Sequence, residues 1–201
     1  MSLITPHGAT SLTPLLATGQ RLAELEAESA RLPSITVSSA AAANAVMLGA
    51  GYFTPLKGYM NRSDALSVAT DLKTTDGLLW PVPVLNMVER FDGNLGDRIA
   101  LRDPNVDGAP VIAVMDVTGI ECLSDDDMAL MTREVFGTDD PNHPGVATFS
   151  SQGQILLSGP IEVLNYSYFQ SDFPGTFRTA MEIRDEIESR GWKRVVAFQT
   201  R

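Results

Sequence analysis

The sequence predicts an α+β fold: a mostly β body, curled or closed into a small barrel with helices added to it, followed by the start of an α/β unit. Short strand-like apolar runs recur between residues 92 and 164, with tight Asp-Gly turns among them. Helix starts marked by Ser or Asn are interspersed with those runs. The last stretch changes character, pairing a strongly patterned helix with one short, continuous apolar run.

In chain order, Pro6-His7-Gly8 reads as a turn and Leu15-Leu16 as a tether onto a core. Arg21 to Leu32 predicts a helix with Leu22, Leu25 and Leu32 on one face, ended by Pro33. Ile35-Thr36-Val37 predicts a short strand, and Ser38 or Ser39 caps an Ala-rich helix to about Leu48, closed by Gly49. The aromatic and Gly-rich run Gly51 to Met60 fits neither period, so it is expected as a packed loop whose aromatics plug the core or form a ligand platform. Asn61 or Ser63 starts a helix through Asp71. Asp76 to Val88 predicts a strand, confined by Pro81 and Pro83 to an edge or entry position.

Turns at Asp92-Gly93 and Asp107-Gly108 separate strands expected near Arg98–Leu101 and Val111–Val117. The charges from Arg98 to Asp103 read as a solvated face rather than an anion site. Ser124 caps a helix with Met128, Met131 and Val135 inward and Gly137 at its end; Asp125, Asp126 and Asp127 fall in the first turn, where the helix dipole favours them without a metal. Strands are expected near Val146–Phe149, Ile155–Ser158 and Ile161–Leu164, the last two broken at Gly159-Pro160. Gln170 to Gly175 reads as a linker. Thr179 and Glu182 form a capping-box pattern, Ile183 and Ile187 share a face, Gly191 caps the end, and Val195–Phe198 suits a strand buried on both sides in a parallel sheet.

With 201 residues, 44% hydrophobic and 20% charged, the chain is ordinary globular material, enough for one sizeable core or a domain plus part of another. It carries no apolar run long enough to span a bilayer and its first 20 residues lack the pattern of a signal sequence, which points to a cytoplasmic protein without a membrane partner. One cysteine, Cys122, excludes an internal disulfide and reads as a small buried hydrophobe; two distant histidines, His7 and His143, give no metal cluster. The net charge of −10 is uneven: residues 1–175 hold 9 Lys and Arg against 21 Asp and Glu, and residues 176–201 hold 6 against 4. Such an acidic body disfavours nucleic acid as a partner.

Ligands of open parallel sheets bind beyond the carboxyl ends of strands, and the end of the last predicted strand carries Gln199, Thr200 and Arg201. An amide, a hydroxyl and a guanidinium together suit an oxyanion; the alternative is a polar fringe without function. His143, between Asn142 and Pro144 with no nucleophile or carboxylate set near it in sequence, is expected to hydrogen-bond its loop rather than move protons. No complete catalytic set, internal repeat, Walker loop, dinucleotide fingerprint or zinc spacing is present in the sequence.

Four stretches in the same order resemble the ATP sulfurylase (sulfate adenylyltransferase) family. Gly51 to Met60 is similar to its Gly-Phe-Ser-Pro-Leu-x-Gly-Phe-Met segment, with Tyr52 and Tyr59 in place of the usual phenylalanine, and Asp76-Gly77 to Pro83 to its Asp-Gly-x-x-Trp-Pro-x-Pro pattern. Gly137 to Val146 resembles its Gly-Thr-x-Asp-x-x-His-Pro-Gly-Val segment. Gly191 to Arg201 looks like the opening strand of its catalytic domain, where Gln-Thr-Arg continues into Asn-Pro and a His-x-x-His element absent from this sequence.

The resemblance implies a PUA-like N-terminal domain over residues 1–173, then the first helix and strand of a nucleotidyltransferase domain over 174–201. It implies transfer of the AMP portion of ATP to sulfate, with Gln199, Thr200 and Arg201 binding sulfate and ATP, Mg²⁺ accompanying the nucleotide, and a homo-oligomeric enzyme. The fragment itself is expected to hold no cofactor and to be inactive alone. Two alternatives stand beside this reading: a stand-alone PUA-like module that binds RNA or protein, and a purely structural domain that positions a catalytic half or mediates assembly.

Overall fold

The computed structural model describes residues 3–198. In chain order its elements are α1 (Gly19–Ser29), β1 (Ser34–Thr36), α2 (Ser39–Gly49), β2 (Gly58–Tyr59), α3 (Arg62–Asp71), β3 (Met87–Val88), β4 (Arg98–Arg102), β5 (Val111–Asp116) and β6 (Gly119–Cys122). They continue with α4 (Asp125–Phe136), α5 (Pro144–Ser150), β7 (Ile155–Val163), α6 (Phe169–Asp172) and α7 (Ala180–Ser189).

The sheet is built around β7, because it alone is long enough to serve two sets of partners. Ile155 to Ser158 pairs antiparallel with β6 and, at its first two residues, with β3; Gly159 and Pro160 pair with β2, and Ile161 to Val163 with β5. The sheet path runs β1-β4-β5-β7-β2, with β1 parallel to β4 and the other pairings antiparallel. The change of partners falls at Gly159, whose φ of +147° is open to glycine, and where a Cβ would run into the Asp116 carbonyl and Thr118. The expected break between two strands is therefore a bend within one, which curls the sheet.

The core lies inside that curl. Ile99, Leu101, Ile112, Met115, Leu156 and Leu157 supply the sheet's share, and α2 closes it with Ala41, Ala45 and Leu48. The small side chains of α2 let its backbone approach β7 closely enough that a Cβ on Gly49 would meet Val163. On the other face, Leu25 of α1 packs with Val114, Ala17 and Leu164, with Leu22 and Leu32 beside them. Leu15 and Ala17 are tied by backbone hydrogen bonds to Leu48 and Val163, as the Leu15-Leu16 tether predicts. Tyr59 is buried and donates its hydroxyl to the Ala41 carbonyl at 2.8 Å, so the aromatic loop does plug the core. Among the described residues no helix is long and apolar enough to cross a membrane.

Four expectations need correction. Residues 146–149 are helical rather than extended, because His143 caps the N-terminus of α5 and Pro144 takes its first position, where its missing N–H costs nothing. Of the strand expected over 76–88 only Met87–Val88 forms a ladder; the prolines leave the rest irregular. Part of the linker expected over 170–175 is the short helix α6. Cys122 is exposed, since the chain buries the next residue, Leu123.

Candidate functional site

The candidate anion site hangs from α7. Thr179 Oγ1 accepts the Glu182 N–H at 3.2 Å while the Glu182 carboxylate accepts the Thr179 N–H at 2.7 Å, completing the capping box. The hydrogen bonds that the Glu182 carboxylate accepts, from the Thr179 N–H foremost and from the Thr179 hydroxyl, hold it below its ordinary range. At the other end Gly191, with φ +61°, lets its N–H reach the Glu188 carbonyl and the Trp192 N–H reach that of Ile187, a paired closure typical of glycine-ended helices. The Arg190 guanidinium pairs with Glu186 at 2.6 Å and lies 4.9 Å from the Trp192 ring.

This helix is lightly moored. The Ala180 N–H donates to the Ala50 carbonyl at 3.0 Å, the Tyr52 hydroxyl to the Arg178 carbonyl at 2.7 Å, and Arg184 to the Ile4 carbonyl at 2.9 Å. Within α7 only Ala180 is buried. On the shared face Ile183 is 37% exposed and lines a groove with Pro6 and Tyr52, and Ile187 is half-buried, so the pattern is only partly packed.

Residues 195–198, expected as a strand, form none, and Val196 and Phe198 are 72% and 86% exposed. A strand buried on both sides needs neighbours to take its backbone hydrogen bonds, and no described strand lies beside this one. Gln199, Thr200 and Arg201 lie outside the described residues. The structure therefore gives the stem of the candidate site and not its side chains.

His143 does what its loop requires. Its Nδ1 accepts the Val146 N–H at 3.4 Å and its ring lies 5.8 Å from that of Phe136. A largely apolar groove of about 470 Å³, lined by Pro144 and Phe136 but not by His143, runs between α2, α4, α5 and residues 82–87. Asp125, Asp126 and Asp127 occupy the first turn of α4 as expected. Asp127 accepts the Ser124 N–H at 2.9 Å and receives a bidentate grip from Arg62 at 2.7 and 2.9 Å. Among the described residues no three His, Cys, Asp or Glu side chains converge as a metal site would need.

The charges near Arg98 are organised more tightly than a solvated face. Arg98 binds Glu28, Asp116 and Glu162, each at 2.6 Å, and Arg21 grips Glu162 in addition. Burial works against the Arg98 charge, but the bonds to Glu162, Asp116 and Glu28 outweigh it and raise its pKa. Glu162 is held down to about 2, first by the hydrogen bond from Arg21 and also by that from Arg98. Each of these cations is already matched by carboxylates, so the cluster staples α1, β4, β5 and β7 together and offers no anion site. Sequence reading missed it because its members are up to 141 positions apart. It likewise missed the aromatic cluster of Tyr166, Tyr168, Phe169, Phe173 and Phe177 that braces the path to α7.

A family model described as a PUA-like domain matches residues 4–166, and the chain belongs to that family. Its relatives are more specific. Over 201 residues the chain is 59% identical to a protein of Allochromatium vinosum named sulfate adenylyltransferase, covering 99% of this chain and 51% of that one. It is 57% identical to the sulfate adenylyltransferase of Alcanivorax borkumensis, covering 100% of this chain and 51% of the relative. The chain thus spans about half the length of these curated relatives. A solved structure described as a hexameric APS kinase from Thiobacillus denitrificans superposes with a TM-score of 0.71 over 96% of this chain and 33% of that one; at 23% identity the likeness is one of fold.

Proposed function

We propose that this chain is one half of a sulfate adenylyltransferase, which transfers the AMP portion of ATP to sulfate, giving adenosine 5′-phosphosulfate and pyrophosphate, or runs the reverse. The observation that carries this reading is identity of 59% across essentially the whole chain to a protein of that name twice its length. Residues 1–173 are the PUA-like structural member, and residues 174–201 open the catalytic unit. The burial of a single residue in α7, against a continuous core in the body, supports that division.

Adenylyl transfer sets two anions against each other while negative charge builds at the α-phosphate and the leaving pyrophosphate, so positioning and fixed positive groups carry the catalysis. In this reading the Arg201 guanidinium grips sulfate with two parallel charge-assisted hydrogen bonds, a geometry lysine lacks. Gln199 adds an N–H donor to a sulfate oxygen, and Thr200 borders the nucleotide phosphates. Mg²⁺ belongs to the nucleotide; none of the described residues is assigned to it, and no step here depends on it. The enzyme acts in the cytoplasm as a homo-oligomer in this reading. The excess of 12 negative charges over residues 1–175 counts against an RNA-binding module.

The test is an assay of two proteins. The purified 201-residue chain with ATP, Mg²⁺ and sulfate should form no adenosine 5′-phosphosulfate. A chimera in which this chain replaces the matching half of the Allochromatium vinosum enzyme should form it. An isolated chain working at an enzyme-like rate, or a folded but inert chimera, would overturn the proposal.

A further inference from the structure

Large exposed apolar side chains are not spread evenly over this molecule. Leu95 stands singly, as such residues do on any surface, and Trp192, Val195, Val196 and Phe198 follow α7. Tyr52, Leu72, Leu79 and Val82 do not: they are 39%, 51%, 56% and 51% exposed and line one groove of about 750 Å³, floored by Phe53 and Trp80. A second groove of about 260 Å³ shares His7, Tyr52 and Thr54 with the first and is walled by Ala180, Ile183 and Arg184 of α7. The two make one continuous apolar strip, from α7 across Tyr52 to Val82.

The strip is firmly built. His7 Nε2 lies 2.7 Å from the Leu79 carbonyl, Trp80 meets Phe53 edge to face at 5.7 Å, and the Trp80 N–H donates to the Leu72 carbonyl at 2.8 Å. Its one free end is α7, the element by which the chain leaves the PUA-like body. Contiguous exposed apolar surface of this kind marks an interface.

We propose that this strip is the seat of the remaining half of the enzyme, the part that the relatives have beyond the length matched here. The inference rests on the proposed function, and two observations choose that occupant over a separate protein or a second copy. The relatives are about twice as long as the chain. The strip also ends on Ala180, Ile183 and Arg184, in the first turns of α7, the helix by which the chain leaves the PUA-like body. Docking there would cover the exposed part of the α7 face.

Hydroxyl-radical footprinting of the isolated chain and of the chimera tests this. Labelling of Leu72, Leu79, Val82 and Ile183 should fall about fivefold in the chimera, the ratio expected when a half-exposed side chain enters an interface core, and Leu95 should not change. Unchanged labelling of the strip overturns the proposal. Adenylyl transfer by the same chimera keeps the two readings apart: activity with an unprotected strip refutes the docking surface and leaves the function standing, and protection without activity does the reverse. Protection already present in the isolated chain, with a doubled mass in solution, would show a second copy on the strip and also overturn it.

A second variant guards against poor folding. Leu79→Ser with Val82→Ser should leave the Tm of the isolated chain within about 2 °C, since both side chains are more than half exposed. In the chimera it should return Leu72 and Ile183 to isolated-chain labelling; retained protection refutes the proposal.

Discussion

Asp127 shows how much a single side chain can carry in this fold. It sits at the third position of α4, closes a capping box with Ser124 and takes a bidentate hydrogen bond from Arg62 of α3. The Arg62 hydrogen bond is the main reason that its carboxyl lies below the ordinary range. Replacing Arg62 by Ala leaves a nearly buried carboxylate with only its Ser124 contacts, and urea denaturation should register a lower midpoint. Ser124→Ala, which removes the cap acceptor alone, should cost about 1 kcal/mol in the same experiment. Glu162 gives a pH signature. Its folded pKa of about 2 lies below its ordinary 4.5, so between those values the unfolded chain binds more protons and stability falls as the pH falls. Its contribution is complete above about pH 4.5 and fades towards pH 2; Glu162→Gln should flatten that part of a stability-versus-pH curve, and a limb of undiminished steepness would count against the ion-pair staple.

Among the elements, β7 and α5 show what the sequence made legible and where it misled. The Gly159-Pro160 signal was correctly located but misread, because sequence marks a local backbone demand and not whether the strand resumes beyond it. Gly159→Ala, which forces a Cβ towards the Asp116 carbonyl at a φ of +147°, should lower stability by more than about 1 kcal/mol. At residues 146–149 the run Val-Ala-Thr-Phe reads as a strand, yet His143 followed by Pro144 is itself a helix-start signal, and the cap prevailed over the apolar run. Four other capped helices were legible: Ser124 and Thr179 cap as their side chains predict, and of the two candidates read at each of the other starts it is Ser38 and Asn61 that cap. Residues 195–198 were not, since a parallel strand is a property of neighbours that no local pattern supplies. The three-carboxylate grip on Arg98 was invisible for the same reason.

At the scale of the whole molecule, the body is packed around a continuous core and α7 is only lightly held to it. The described chain has a curled sheet, a continuous core and stapled edges, and then a helix moored through Ala180, Arg178 and Arg184. Among the described residues no three His, Cys, Asp or Glu side chains converge, and Arg21, Arg62 and Arg98 are each matched by carboxylates. The chemistry of the proposal is concentrated in Gln199, Thr200 and Arg201, at the end of α7's stem. Arg201 is the sharpest point, because a bidentate guanidinium and a point-charge ammonium differ in geometry while sharing a charge. The most direct measurement is therefore the sulfate dependence of adenylyl transfer by the chimera carrying Arg201→Lys. If Arg201 forms part of the sulfate site, kcat/KM for sulfate falls at least about tenfold, the loss expected for one strong charge-assisted hydrogen bond. An unchanged kcat/KM for sulfate would contradict it and return these last three residues to a polar fringe.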